Sequence, residues 1–118
     1  MSEFVIWHNI NCSKSNAAKN LLDEKKLECN IRNYLENPPS FDELKDVLKK
    51  LNMSAFQLIR SGETIYKSLN LQNIKDEDEL IKIMIENPIL IERPIIINEN
   101  KAVIARPIEK LSDFINEF

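Results

Sequence analysis

The chemistry available to this 118-residue chain is concentrated in a few side chains: two Cys, one His and a small set of Arg. Cys12 follows an apolar run, Phe4-Val5-Ile6-Trp7, and a polar stretch, His8-Asn9-Ile10-Asn11. A helical pattern starts directly after it. The first N–H groups of a helix have no intrahelical partner, and that end carries partial positive charge. A thiol placed there ionises more easily, and the thiolate is the nucleophile. The same place can cradle an anion. A Cys in that position is either a loop residue or a reactive thiol. The fourth position of Cys12-Ser13-Lys14-Ser15 is Ser, so no disulfide can form within the motif. Ser15 is suited to hydrogen-bond the Cys12 sulfur or to cap the first turn. His8 can tune the thiol, contact an anion, or serve as a buried structural His. Cys29 is expected to pack in a second strand.

The Arg distribution adds a second signal. Of 16 basic residues, 12 are Lys and 4 are Arg, so surface charge comes mostly from Lys. Arg60 follows a short helical pattern, while Arg93 and Arg106 each precede a Pro. The planar guanidinium fork matches tetrahedral or carboxylate oxyanions in a way an ammonium does not. Periodicity alone does not bring Arg60, Arg93 and Arg106 together.

The elements that must position these residues follow from spacing. The run Phe4–Trp7 reads as a strand buried on both faces. From Lys14 to Lys25, Ala17, Ala18, Leu21 and Leu22 form one helical stripe. Glu28 to Tyr34 reads as a second strand with Cys29 and Ile31 on one face. Strand, helix, strand in this short span is a βαβ unit with parallel strands. Asn37-Pro38-Pro39 breaks the pattern, and the chain turns helical. Ser40 with Glu43 and Ser54 with Gln57 predict two capping boxes. The second opens a short helix through Phe56 and Ile59 that stops near Gly62. Another short helix is expected over Glu63 to Asn70. Asp76 with Glu79 opens a further one carrying Leu80, Ile83 and Met84. Two strands then return, Pro94–Ile97 and Ala102–Ala105, around a four-residue turn. Pro107 is expected as the first helical residue of a last helix, with Ile108, Leu111, Ile115 and Phe118 as its stripe. The fold class is therefore α/β, thioredoxin-like: βαβ … ββα with a mixed four-stranded sheet. It reads as one domain over 1–118, with a helical insertion over about 40–87.

Composition narrows the function classes. Apolar residues are 43% and charged residues 30%, an ordinary globular mix. A formal net charge of −3 argues against coating nucleic acid. No apolar run approaches the ~18 residues of a membrane span. The start, Met1-Ser2-Glu3-Phe4, lacks the pattern of a signal peptide. Two Cys are too few for a disulfide scaffold, so a reducing cytoplasm is expected. A single His and the lack of a Gly-rich phosphate loop imply no metal and no tightly bound cofactor.

Five segments, read together, resemble one family. They are His8-Asn9-Ile10-Asn11-Cys12-Ser13-Lys14-Ser15, Tyr34-Leu35-Glu36-Asn37-Pro38-Pro39, Leu58-Ile59-Arg60, Asn87-Pro88-Ile89-Leu90-Ile91-Glu92-Arg93-Pro94-Ile95, and Arg106-Pro107. In this order they are similar to the glutaredoxin-coupled arsenate reductase (ArsC) family over nearly the whole chain. The resemblance implies that Cys12 is the nucleophile and that Arg60, Arg93 and Arg106 bind the substrate oxyanion. It implies that His8 and Ser15 support the thiolate, and that Pro94 is the structural cis-proline of thioredoxin-like folds. It also implies arsenate or a similar oxyanion as substrate, glutathione as co-substrate and glutaredoxin as partner. Ser13 stands where the best-known members have Gly, and those members continue past the position of Phe118. Both features resemble a shorter branch. Two other readings compete: a glutathione-dependent thiol oxidoreductase on another substrate, and a non-catalytic Spx-like regulator that binds RNA polymerase. The replacement of the second motif Cys by Ser15, and the three arginines, weigh against the regulator.

Overall fold

A computed structural model describes residues 4–117. The chain divides into two compact units, Met1–Asn37 with Arg93–Phe118, and Pro38–Glu92. The expected insertion of about 40–87 corresponds to this second unit, which also takes in the segment up to Glu92.

The first unit is built on a four-stranded sheet in the order β2-β1-β3-β4. Its strands are β1 (Phe4–Trp7), β2 (Cys29–Arg32), β3 (Ile95–Asn98) and β4 (Lys101–Ile104). Between β1 and β2 lies α1 (Ser13–Glu24), and α6 (Glu109–Ile115) follows β4. Strands β1 and β2 are parallel, with Phe4 opposite Cys29 and Trp7 opposite Arg32. Strand β3 is antiparallel to β1 and to β4. This is the thioredoxin-like layout that the order βαβ … ββα requires. One core joins Phe4, Ile6 and Ile96 of the sheet to Ala18 and Leu22 of α1 and Leu111 and Phe114 of α6. The rings of Phe4 and Phe114 meet edge to face at 6.3 Å and 77°, a favoured aromatic geometry. Trp7 stacks on Tyr34 at 6.3 Å, and the Arg32 guanidinium lies over the Trp7 ring.

Local differences from the sequence reading have local causes. Strand β2 is shorter than expected and lies at the sheet edge, so Ile31 is 50% exposed and Cys29 half-buried. The β3–β4 hairpin pairs Asn98 with Lys101, which leaves a two-residue turn rather than four. Glu99 takes φ 56° there. Pro107 is not the first helical residue: α6 begins at Glu109 with Ile108 as its N-cap. Phe114 rather than Ile115 is the buried partner of Leu111. Phe118 lies outside the described residues.

The second unit is helical: α2 (Phe41–Leu51), α3 (Ala55–Leu58), α4 (Thr64–Ser68), α5 (Glu77–Glu86) and two 3-10 turns at Leu71–Asn73 and Pro88–Leu90. Both expected capping boxes are present, Ser40 with Glu43 and Ser54 with Gln57. Asp76 caps α5 through the Asp78 N–H rather than with Glu79. In α3 the apolar face is Ala55 and Leu58, and Phe56 is 48% exposed. The segment 90–92 belongs to this unit because it pairs with the end of α3. Ile59 bridges Ile91, and the Glu92 N–H donates to the Leu58 carbonyl at 3.0 Å.

Candidate active site around Cys12

The site is built at the C-terminal end of β1. His8 still pairs with β2, its N–H donating to the Arg32 carbonyl at 2.8 Å. The chain then leaves the sheet and must turn into α1. Asn9 makes that turn. Its Oδ1 accepts the Asn11 N–H at 3.0 Å, and its carbonyl accepts the Cys12 N–H at 3.0 Å. Asn16, one turn into α1, donates from Nδ2 to the Ile10 carbonyl at 2.9 Å. The side chains of Asn and Asp commonly close such turns on the backbone two residues on. The sequence alone does not single out Asn9 or Asn16; the Asn-x-Asn of Asn9 and Asn11 before a helix is a signal for the first, and Asn16 has none.

Cys12 is the N-cap residue of α1, with φ −108° and ψ 119°. A Ser or Asp there would turn its side chain onto the first-turn N–H groups. The Cys12 thiol takes the same place and is 8% exposed. Its pKa is about 7. Burial pushes the thiol up. The Ser15 N–H, the Arg93 guanidinium and the Lys14 N–H hydrogen-bond the sulfur and pull it down further than burial raises it. Arg106 adds a contact, Nη2 standing 3.7 Å from Sγ. The same guanidinium donates from Nε to the Arg93 carbonyl at 2.7 Å.

Arg93 and Arg106 reach the sulfur because their backbones are adjacent although their positions in the chain are not. The Ala105 N–H donates to the Pro94 carbonyl at 3.1 Å, extending the β3–β4 pairing toward the loops. Both Arg–Pro bonds, Arg93–Pro94 and Arg106–Pro107, are cis. The first is the bond the resemblance pointed to; the second lies where a helical start was expected.

His8 and Ser15 form a buried pair behind the nucleophile. Ser15 Oγ lies 2.6 Å from His8 Nδ1 and accepts the Asn9 N–H at 3.0 Å. The Ser15 hydroxyl therefore faces the loop, and its backbone N–H, not its side chain, meets the Cys12 sulfur. His8 is held below its usual pKa by burial and by Lys19, against the opposing effect of a hydrogen bond that its ring donates to the Asn16 side chain. The neutral ring at pH 7 can accept the Ser15 hydroxyl at Nδ1. His8 thus fixes the first turn of α1 and reaches Cys12 through Ser15.

Arg60 belongs to the helical unit. Its N–H donates to the Leu90 carbonyl at 2.8 Å, and its Nη1 is 3.2 Å from Glu92 Oε1. Cys29 sits opposite Phe4, at the far end of β1 from the Cys12 loop. At ~3.3 Å per strand residue the length of β1 alone puts about 10 Å between the two ends. A disulfide needs Cα atoms within about 7 Å, so this arrangement does not suit a Cys12–Cys29 bond, and both cysteines are free. Among the described residues, no cluster of three His, Cys, Asp or Glu could hold a metal ion.

The profile of the ArsC family matches residues 7–114. The chain belongs to the ArsC family. A protein of Neisseria meningitidis serogroup A named arsenate reductase is 41% identical over 113 residues, covering 94% of this chain and 97% of its own length. Uncharacterized protein YfgD of Escherichia coli K12 is 44% identical over 112 residues, covering 93% of this chain and 94% of its own. A solved structure titled arsenate reductase from Vibrio cholerae superposes with a TM-score of 0.91 at 36% identity, covering 95% of this chain and 97% of that one. These ArsC relatives are matched across both units, the segments of Cys12, Arg60, Arg93 and Arg106 included.

Proposed function

We propose that this ArsC-family protein reduces arsenate to arsenite with Cys12 as nucleophile. The observation that supports this most is a buried thiol of pKa about 7 bound by the guanidinium of Arg93 and approached to 3.7 Å by that of Arg106. Two guanidinium groups beside a thiolate offer donors for the oxygens of a tetrahedral anion held against the sulfur. The named activities of the Neisseria and Vibrio relatives point to the same substrate. Arg60 enters this reading, through the family match alone, as a third oxyanion contact.

In the proposed reaction the Cys12 thiolate displaces one arsenate oxygen, which leaves as water once protonated, and an S–As(V) bond forms. A glutathione thiolate then attacks the Cys12 sulfur. An S–S bond forms, the S–As pair stays on arsenic, and arsenic leaves as As(III). The two electrons come from the two thiols that became the mixed disulfide. Glutaredoxin exchanges that disulfide and returns Cys12 as the thiolate. External thiols are needed because Ser15 replaces the second motif Cys and Cys29 lies at the other end of β1. A reducing cytoplasm suits a protein that must keep Cys12 reduced. Neither a metal nor a tightly bound cofactor enters this scheme.

The test is arsenite formation by the full chain with glutathione and glutaredoxin supplied, wild type against Cys12→Ser. Arsenite from the wild type only is the expected result. No arsenite from the wild type, or equal rates from both, overturns the proposal.

A further inference from the structure

A closed set of hydrogen bonds surrounds the turn that delivers Cys12, and Asn16, one turn into α1, joins its two ends. The Asn16 backbone N–H donates to the Cys12 carbonyl at 3.0 Å, and its Nδ2 donates to the Ile10 carbonyl at 2.9 Å. A carbonyl only accepts, so the amide turns its NH2 end to Ile10 and keeps Oδ1 for another donor. That donor is the His8 ring, which hydrogen-bonds the Asn16 side chain. Nδ1 of the ring lies against Ser15 Oγ at 2.6 Å, so Nε2 is the atom that meets Asn16, and it carries the proton. Nδ1 is then bare and accepts the Ser15 hydroxyl. The Ser15 oxygen in turn accepts the Asn9 N–H at 3.0 Å. The series runs from the Asn9 N–H through Ser15, His8 and Asn16 to the Ile10 carbonyl. Its two ends are consecutive residues of the Cys12 loop, and the Asn9 carbonyl accepts the Cys12 N–H at 3.0 Å.

We propose that Asn16 is a positioning residue for the Cys12 nucleophile, its amide setting the His8 tautomer and pinning residues 9 and 10 over the first turn of α1. The proposal rests on Cys12 as the nucleophile of the reading above and adds how its loop is held. Of the three side chains in the series, the hydroxyl can rotate and the ring can move its proton, but the amide is fixed by Ile10. Direction therefore enters at Asn16, and the ring and the hydroxyl follow. With the proton on Nδ1 instead, the Ser15 hydroxyl would lose its acceptor and Asn16 Oδ1 would face a bare nitrogen. Both His8 and Ser15 are buried, where such unmet groups are costly. Pinned by the series, the loop keeps the Cys12 sulfur on the Lys14 and Ser15 N–H groups.

The chain has one His, so the ring 15N NMR signals of the untagged full chain belong to His8. At neutral pH the wild type should show a protonated Nε2 and a bare Nδ1, a measurement that needs no variant. Asn16→Ala places the best helix former in α1 and should give a mixture of the two tautomers. Its iodoacetamide midpoint for Cys12 should rise, the thiolate fraction below that midpoint falling about three- to ten-fold, the worth of one hydrogen bond. Arsenite formation should fall in kcat by about the same factor, with the KM for arsenate within about two-fold. A proton on Nδ1 in the wild type overturns the proposal. So does an Asn16→Ala chain that keeps either the wild-type tautomer or the wild-type Cys12 midpoint. The ring signals and the labelling need no arsenate. A chain that makes no arsenite but gives both expected results ends the arsenate reading and leaves the role of Asn16 standing.

Discussion

Arg106 donates from Nε to the carbonyl of Arg93 at 2.7 Å while its Nη2 lies 3.7 Å from the Cys12 sulfur. One guanidinium thus ties the two arginine-bearing loops together and faces the nucleophile. An ammonium cannot hold both positions, because its three donors radiate from one atom. Arg106→Lys should therefore lower kcat/KM for arsenate by about 10- to 100-fold, the ~1.5–3 kcal/mol of a hydrogen bond to a charged group. Steady-state arsenite formation measures this. A loss smaller than about three-fold would show that the planar fork is not needed.

The pH dependence of the thiol follows from its lowered pKa. With Cys12 titrating at about 7, the thiolate fraction is high above pH 7 and falls about ten-fold per unit below it. Iodoacetamide labelling of Cys12, followed by mass spectrometry, should show a midpoint near pH 7. Arg93→Ala removes a group that pulls the thiol down and should move the midpoint up, toward the ~8.5 of a free Cys. A midpoint that stays in place would remove Arg93 from the thiolate's support.

Cys29→Ser should leave turnover within about two-fold of wild type. Cys29 packs against the core from the edge strand, so some thermal stability is lost. Its position opposite Phe4 keeps it away from the Cys12 loop. Arsenite formation and a melting curve on the same preparation separate the two effects. A folded but inactive Cys29→Ser would mean that the two thiols meet during the reaction.

His8 links acid stability to the site. Its folded pKa is lowered, chiefly by burial, so the unfolded chain binds the proton more readily. The neutral ring's contribution is complete above its unfolded value of ~6.5 and is lost as pH falls through the lower folded value. The denaturant midpoint should drop between pH 7.5 and 5, and part of that drop should be absent in His8→Gln. Equal pH dependence in the two proteins would show that His8 titrates alike in the folded and unfolded chain.

The capping boxes at Ser40 and Ser54, the βαβ start and the closing hairpin were all legible in the sequence, because each depends on residues within one or two turns of each other. Cys12 was legible as a candidate for the same reason: an N-cap position is a local fact. Burial at edges was not local. Ile31 follows the strand alternation that suggests a core position, yet β2 is the outer strand and has no neighbour to cover it. The short helix expected through Phe56 and Ile59 packs on Ala55 and Leu58; Ile59 is buried as its C-cap, while Phe56 stays outside.

What the sequence by itself determined is the set of chemical groups: one motif thiol without a Cys partner, one His, and arginines placed before prolines. What only the tertiary structure decided is which atoms of those residues meet. Residues 93 and 106 lie far from residue 12 in the chain, and no periodicity encodes their contact. The antiparallel pairing of β3 with β1 and β4 brings their backbones to the end of β1. The same holds for Ser15, whose spacing from Cys12 suggests a hydroxyl on the sulfur. The buried His8 ring takes that hydroxyl at 2.6 Å, and the helix's own N–H is left for the thiolate. The choice rests on burial: a His ring enclosed beside β1 has to find a polar partner within the fold, while the open first turn of a helix offers its N–H groups to whatever anion stands at its end.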